Sequence, residues 1–367
     1  MSDALQARIE ARVAALRDAG RARQLRRLEM HDATTGTLDG RAVTVFCSND
    51  TLGLAHHPEV VAAWTGAGAG SARLISGNRP AHDALEAALS ARFGRPATLF
   101  SSGWHANLAV LSTVLEPGMR ASSDARNHAS LIDGLRLGRA TRMVVPHGTA
   151  DLPEALDLHV TEGVFSMDGD RVDLPALRAA CDARGAWLVV DEAHAVGAVG
   201  PGGRGAAADA GVTPDVLVGT LGKAYGAFGA FVVGPPALRA LLVSAGRTFL
   251  FTTGLPEPAC RAALAGLALA TDDRRRRLDQ NARRLRAGLT SLGLHAAGRD
   301  AIAPIVLGPR AMAAADGLLD RGYHVAGIRP PTVPPGTERL RITVSAAHTD
   351  GQIDGFVAAL GATLRAI

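Results

Sequence analysis

Two rhythms of apolar residues divide the chain. Short, largely apolar runs bounded by turn residues recur at 43–47, 97–100, 141–145, 186–190, 216–218 and 231–233, and the more polar segments 119–123 and 157–161 read as further short strands between them. Such runs predict strands covered on both faces. Between them, apolar residues three and four apart predict helices over 82–93, 105–115 and 174–184. Strands alternating with helices predict a mostly parallel sheet layered by helices. At the front, Leu5, Ile9, Val13, Leu16, Leu25 and Leu28 predict one or two amphipathic helices over 3–28 that pack on the body. The texture changes near 256. Helices over 259–270 and 272–292 are followed by short strands at 302–307, 323–326 and 340–344, alternating with helices near 311–321 and 350–366. This reads as a small C-terminal α+β domain. The expected division is an N-terminal helical segment (1–44), a large domain (45–255) and a small domain (256–367).

Composition refines this picture in a few places. Glycine is abundant, at 42 residues, as many tight strand-to-helix turns require, and aromatics are only 4%. The core is therefore built from Ala, Val and Leu. The net charge of +4 permits a phosphorylated or acidic ligand without demanding one. Cys47, Cys181 and Cys260 are odd in number and far apart, which predicts no disulfide, no zinc site and a reducing compartment. There is no apolar stretch long enough to span a membrane, and residues 1–20 lack the apolar core of a signal peptide. The expected location is the cytoplasm. Asp168-Gly-Asp170 lacks the rest of a calcium loop, so no metal is expected.

The candidate chemistry centres on Lys223. Among 39 lysines and arginines it is the sole lysine. Arg does most of what a surface Lys does, but its guanidinium cannot form a Schiff base. The lysine sits in Gly219-Thr220-Leu-Gly-Lys223, a turn off the end of a buried strand, where α/β folds place ligands. The strand 186–190 runs into Asp191-Glu-Ala-His194. An acid at the tip of an apolar strand calls for a cationic partner, which a ligand could supply. Ser101-Ser102-Gly103-Trp104 opens a helix after a strand, which makes either an anion cup or a plain N-cap. His128 follows a short strand and is by itself an ordinary loop histidine. A lysine for an imine, a carboxylate for a pyridine nitrogen and a cup for a phosphate are together what pyridoxal phosphate needs.

With these residues in place, the sequence resembles the α-oxoamine synthases of the fold-type I pyridoxal-phosphate enzymes over nearly its whole length. The carrying motifs are Cys47-Ser-Asn-Asp-Thr-Leu-Gly-Leu54, Arg73-Leu-Ile-Ser-Gly-Asn78, Ser101-Ser-Gly-Trp104, Asn127-His-Ala-Ser130, Thr161-Glu-Gly-Val-Phe-Ser-Met-Asp-Gly-Asp170, Asp191-Glu-Ala-His194, Gly219-Thr-Leu-Gly-Lys223 and Arg329-Pro-Pro-Thr-Val-Pro. The resemblance implies a seven-stranded, mostly parallel sheet between helices, and a homodimer. It implies an acyltransferase, most similar to the branch that condenses L-alanine with a pimeloyl thioester in biotin synthesis. The thioester is carried on coenzyme A or acyl carrier protein. Relatives that use glycine with acetyl-CoA or succinyl-CoA are the nearest alternative. A basic nucleic-acid-binding protein built on Arg274–Arg277 is the alternative of another class.

The resemblance also implies roles. Lys223 carries the cofactor, Asp191 pairs with its ring nitrogen, His194 with its ring oxygen, and His128 stacks on the ring. Ser102, Gly103, Trp104 and Thr220 hold the phosphate, with Thr252 or Thr253 contributed by the neighbouring subunit, and Ser166 lies on the cofactor side. Arg341 grips the amino-acid carboxylate, while Asn49, Thr332 and an N-terminal arginine, Arg26, line the substrate side. Thr51 and Ala72 depart from the family pattern of an aromatic and a glycine, which bears on acyl-chain fit.

Overall fold

The computed structural model describes residues 2–367. Its centre is a seven-stranded sheet in the order Ala97–Phe100, Ala230–Val233, Val216–Thr220, Trp187–Asp191, Leu158–Glu162, Arg120–Asp124, Thr141–Val145. Only Ala230–Val233 runs antiparallel to its neighbours. The other pairs are parallel.

Alternation within each strand explains the two helical layers, because successive side chains point to opposite faces. Val216 and Val218 join one core with Val189, Leu111 and Phe249. Leu217 points the other way, into the core shared with Phe231 and Tyr225, and Leu188 and Val190 pack with Leu177 and Cys181. Close approach needs glycine at two places. A Cβ on Gly219 would lie 2.3 Å from the Phe231 ring, and one on Gly266 would lie 2.1 Å from the Tyr225 carbonyl oxygen. The second contact seats the helix Glu257–Leu269 directly against the turn that carries Lys223.

The C-terminal part holds a three-stranded antiparallel sheet of Ile302–Val306, Arg339–Thr343 and Ala326–Ile328. Ion pairs tie it to the large sheet. Arg171 bonds Asp300 through two nitrogens at 2.6 and 2.7 Å and also reaches Asp209, while Arg339 pairs with Asp168.

The N-terminal expectation needs correction. Helix runs only over Ser2–Asp18, and Leu28–Met30, Thr35–Leu38 and Arg41–Val45 form strands joined by Tyr323–His324. The 1–44 segment is thus helical in its first half alone. Nor does the helix pack on the body: Leu5, Ile9, Val13 and Leu16 are all exposed, and Leu25 is fully exposed. Its apolar residues recur at helical spacing, but nothing among the described residues covers them. No helix among the described residues is long and apolar enough to cross a membrane.

Candidate active site

Five parallel-running strands end on one edge of the sheet, and their tips supply the site. Phe100 leads into Ser101-Ser102, and Asp124, Glu162, Asp191 and Thr220 are the last residues of their strands. This carboxyl edge is where open α/β sheets bind ligands.

Lys223 lies just beyond the tip at Thr220, with its Nζ 2.8 Å from His194 Nε2. Burial pushes the amine down to about 8, against the opposing pull of Asp191 and Glu162. Burial, helped by Lys223 and Arg341, drives His194 well below the usual imidazole range. The ring is therefore neutral and accepts from the amine. Asp191 is buried, yet among the described residues it forms no ion pair. Its Oδ2 accepts from Asn107 Nδ2 at 2.7 Å and its Oδ1 from the Ala193 amide at 2.9 Å. Asn107 also donates to Ser130 Oγ at 2.9 Å, and Ser130 bonds His128 Nδ1 at 2.8 Å. The His128 amide donates to Glu162 at 2.6 Å, and its ring meets Trp104 edge-on at 6.1 Å. One network thus runs from Asp191 to His128 and Trp104.

The helix Gly103–Val114 starts beside this network. Ser102 caps it, accepting from the His105 amide, so the N-cap reading is correct. The anion-cup reading is compatible with it, because the space where a Gly103 Cβ would stand is empty. Thr220 Oγ1 accepts from the Gly222 amide and donates to the Gly229 carbonyl.

Arg341 is 5% exposed and, among the described residues, has no carboxylate partner. Its Nε donates to the Ser166 carbonyl at 2.5 Å, and its other nitrogens reach Thr343 and Asn49. Burial pushes it down to about 10. An unpaired buried cation is costly to hold, so its retention points to an anionic ligand. Cys47 beside it is pushed up to about 11 by burial, which leaves it an inert thiol.

The chain is similar to known proteins over most of its length. The family model "Aminotransferase class I and II" matches residues 41–360. The 8-amino-7-oxononanoate synthase of Alkalilimnicola ehrlichii is 47% identical, over 96% of this chain and 96% of its own. That of Halorhodospira halophila is 45% identical, over 98% and 96%. Among solved structures, the serine palmitoyltransferase of S. paucimobilis with a bound PLP–myriocin aldimine has a TM-score of 0.91 at 32% identity, covering 98% of this chain and 97% of that one. The 8-amino-7-oxononanoate synthase of Francisella tularensis has a TM-score of 0.76 at 28% identity, covering 88% and 98%.

The chain belongs to the 8-amino-7-oxononanoate synthase family.

Pyridoxal phosphate is the cofactor of this family's chemistry, and the residues present fit it. The chain offers one buried amine, a buried carboxylate that lacks a cation, and an open helix N-terminus beside them. Of the residues expected in the site, Lys223, His194, Asp191, His128 and Trp104 come together, as do Arg341, Asn49 and Ser166. Ser166 takes part through its carbonyl, turned toward Arg341.

Two expected site residues, Arg26 and Thr332, lie in a groove that does not include Lys223. Arg26 is held by Asp39 at 2.7 Å, and it lines an open groove of about 710 Å³ with Arg23, Arg329 and Thr332, apart from Lys223. The N-terminal arginine that reaches Thr332 is Arg23, at 3.3 Å. Thr252 bonds only its neighbour's carbonyl and sits beside Arg73 and Ser101, away from Lys223 within this chain.

Asn107, Ser130 and Glu162 were not singled out by sequence. A lone polar residue on the buried face of the 103–114 helix, and an acid closing an apolar strand, were the available signals. Thr51 is buried at the edge of a cavity of about 50 Å³ that also borders His194, Val164 and Leu278. Arg274–Arg277 leave no bare basic strip. Arg275 pairs with Asp272, Arg276 with Asp273 and Arg277 with Asp350, and Arg274 reaches the Leu52 carbonyl.

Proposed function

We propose that this chain condenses L-alanine with a pimeloyl thioester, carried on coenzyme A or acyl carrier protein, and releases carbon dioxide to give 8-amino-7-oxononanoate. The reading includes a cytoplasmic homodimer, a large cofactor-binding unit over 45–255 and a smaller unit over 256–367. The observation that carries it is the Lys223 amine, the only one on a side chain, buried and pushed down to about 8 within bonding distance of a neutral histidine.

Asp191, His194, His128, Ser102, Gly103, Trp104, Ser166 and Thr220 would hold the cofactor, with Thr252 coming from the second subunit. Bound there, pyridoxal phosphate supplies an electron-withdrawing ring that stabilises negative charge at the amino acid's Cα. Asp191, fixed by Asn107, keeps a negative charge at the ring-nitrogen end. Arg341 binds the alanine carboxylate, and Asn49 orients that guanidinium. Lys223, as a neutral amine, takes the Cα proton. The Cα then bonds the thioester carbonyl carbon, the carbon–sulfur bond breaks with the sulfur leaving as a thiolate that takes a proton from solvent, and the carboxylate carbon departs as carbon dioxide. A proton returned by Lys223 to Cα completes the balance. Arg23, Arg26 and Thr332 line one groove, in which Arg23 reaches Thr332 and Arg26 is held by Asp39, and this groove is the candidate for the far end of the acyl substrate.

One observation favours a second reading. The fold likeness is higher to serine palmitoyltransferase, at 0.91 against 0.76, although the identity to it is only 32%. A turnover panel decides. L-alanine, glycine and L-serine are each paired with acetyl, succinyl, pimeloyl and palmitoyl thioesters. Alanine with pimeloyl thioester should give the highest kcat/KM, and a different leading pair overturns the assignment.

A further inference from the structure

Beside the turn that holds Arg341 lies a half-buried ion cluster that the chemistry above does not use. His147 follows the strand Thr141–Val145. Its Nδ1 lies 2.9 and 3.0 Å from the two oxygens of Asp124, and its Nε2 lies 2.9 Å from Asp170 Oδ2. A neutral imidazole has one N–H and one lone pair. With a carboxylate at each nitrogen, only the imidazolium donates at both ends. The bonds to Asp124 and then Asp170 push His147 up to about 9 against burial, which agrees with that charge state. Asp124 is itself fixed by the amides of Arg126 and Gly148, both at 2.8 Å. Arg126 adds longer contacts of 3.5 and 3.6 Å to Asp168 and Asp170.

Asp170 closes a turn that grips two arginines. The Phe165 amide donates to the Asp170 carbonyl at 3.0 Å, the Gly169 amide donates to the Phe165 carbonyl at 2.8 Å, and the His147 ring stands edge-on to Phe165 at 4.5 Å. Within the turn, the Ser166 carbonyl accepts from Arg341 Nε, and Asp168 accepts from Arg339 Nη1, each at 2.5 Å. Arg339 and Arg341 are two apart on one strand and so share a face. The turn is thus pinned at Asp170 by a cation and holds Arg341 at Ser166.

We propose that His147 is a positioning residue: clamped between Asp124 and Asp170, it fixes the 163–170 turn and, through the Ser166 carbonyl, aims Arg341 at the carboxylate of the amino-acid substrate. The inference rests on the carboxylate-binding role given to Arg341 above.

The test compares binding of L-alanine with that of L-alaninamide, which lacks the anionic carboxylate, to the cofactor-loaded enzyme, read by visible absorbance. The proteins are wild type, His147→Gln, Asp170→Asn and Arg341→Ala. His147→Gln and Asp170→Asn should each weaken alanine about tenfold and leave alaninamide within about twofold, as expected when a charge pair is mis-aimed and nothing else is lost. The resting absorbance and the KM for pimeloyl thioester should stay at wild-type values. Equal weakening of both ligands, loss of cofactor, or unchanged alanine affinity in both variants overturns the inference. If Arg341→Ala weakens alanine selectively while the other two do not, the inference alone fails. If Arg341→Ala leaves alanine binding unchanged, the role of Arg341 fails and takes the inference with it. Should His147→Gln not fold, Asp170→Asn carries the same comparison.

Discussion

At the scale of the residue, two charges set the chemistry. Lys223 is lowered from 10.5 to about 8 by burial. The amine is therefore mostly protonated below that value and neutral above it, and only the neutral form attacks an aldehyde. The rate at which cofactor-free protein captures pyridoxal phosphate should rise about tenfold per pH unit up to about 8 and then level off. Stopped-flow absorbance checks this; a plateau reached only near 10 would mean an unperturbed surface amine. Asp191 is the second charge. Asp191→Asn keeps the shape but removes the charge that a protonated pyridine nitrogen needs. The visible cofactor band should persist while kcat falls by about 10²–10³, the scale seen when a preorganised electrostatic partner is lost. Steady-state assays beside an absorbance spectrum separate the two effects, and near-normal turnover would make Asp191 structural only.

At the scale of the element, the site depends on where strands stop and how closely helices press on the turns after them. Gly266 is the tightest of these contacts. A Cβ there would overlap the Tyr225 carbonyl, a backbone atom that cannot rotate away. Gly266→Ala should cost about 1–3 kcal/mol, as overpacking does, and should weaken cofactor binding because Lys223 sits two residues before Tyr225. Thermal melts with and without pyridoxal phosphate measure both; a melting point equal to wild type would show that the helix can shift freely. Strands such as Trp187–Asp191, Val216–Thr220 and Ala230–Val233 were legible in the sequence because they are buried on both faces and read as apolar runs. Strands such as Leu28–Met30 and Thr35–Leu38 were not, since Thr and Gly on a half-exposed sheet leave little pattern. The helix Ala129–Leu137 was missed although its pattern is legible, with Leu131 and Leu135 four apart on its buried face. Lys223, Asp191 and His194 were legible because each sits within a few residues of a recognisable strand end. Asn107 was not, because its value lies in a bond to a strand 84 positions away. Arg23 and Arg26 differ only in which acceptor each meets, Thr332 or Asp39, and local sequence carries no trace of that.

At the scale of the whole molecule, the sheet edge, the C-terminal strand bearing Arg341 and the ion pairs between them form one body. Arg171 with Asp300, and Arg339 with Asp168, hold the C-terminal three-stranded sheet so that Arg341 faces the Lys223 group. Leu5, Ile9, Val13 and Leu16 of the helix Ser2–Asp18, with Ile75 and Phe251, are exposed apolar surface. The account as a whole rests on Lys223, and the chain's composition makes the decisive experiment unusually clean. With no other lysine, Lys223→Arg leaves the α-amino group as the only primary amine in the protein. Arg keeps charge and bulk but forms no imine and accepts no proton near neutral pH. The measurement is the rate of the Lys223→Arg variant with L-alanine and pimeloyl thioester, with folding confirmed by circular dichroism. The account predicts a folded protein without an imine band and without detectable synthase activity. Activity within about tenfold of wild type, a barrier change of only about 1.4 kcal/mol, would contradict it.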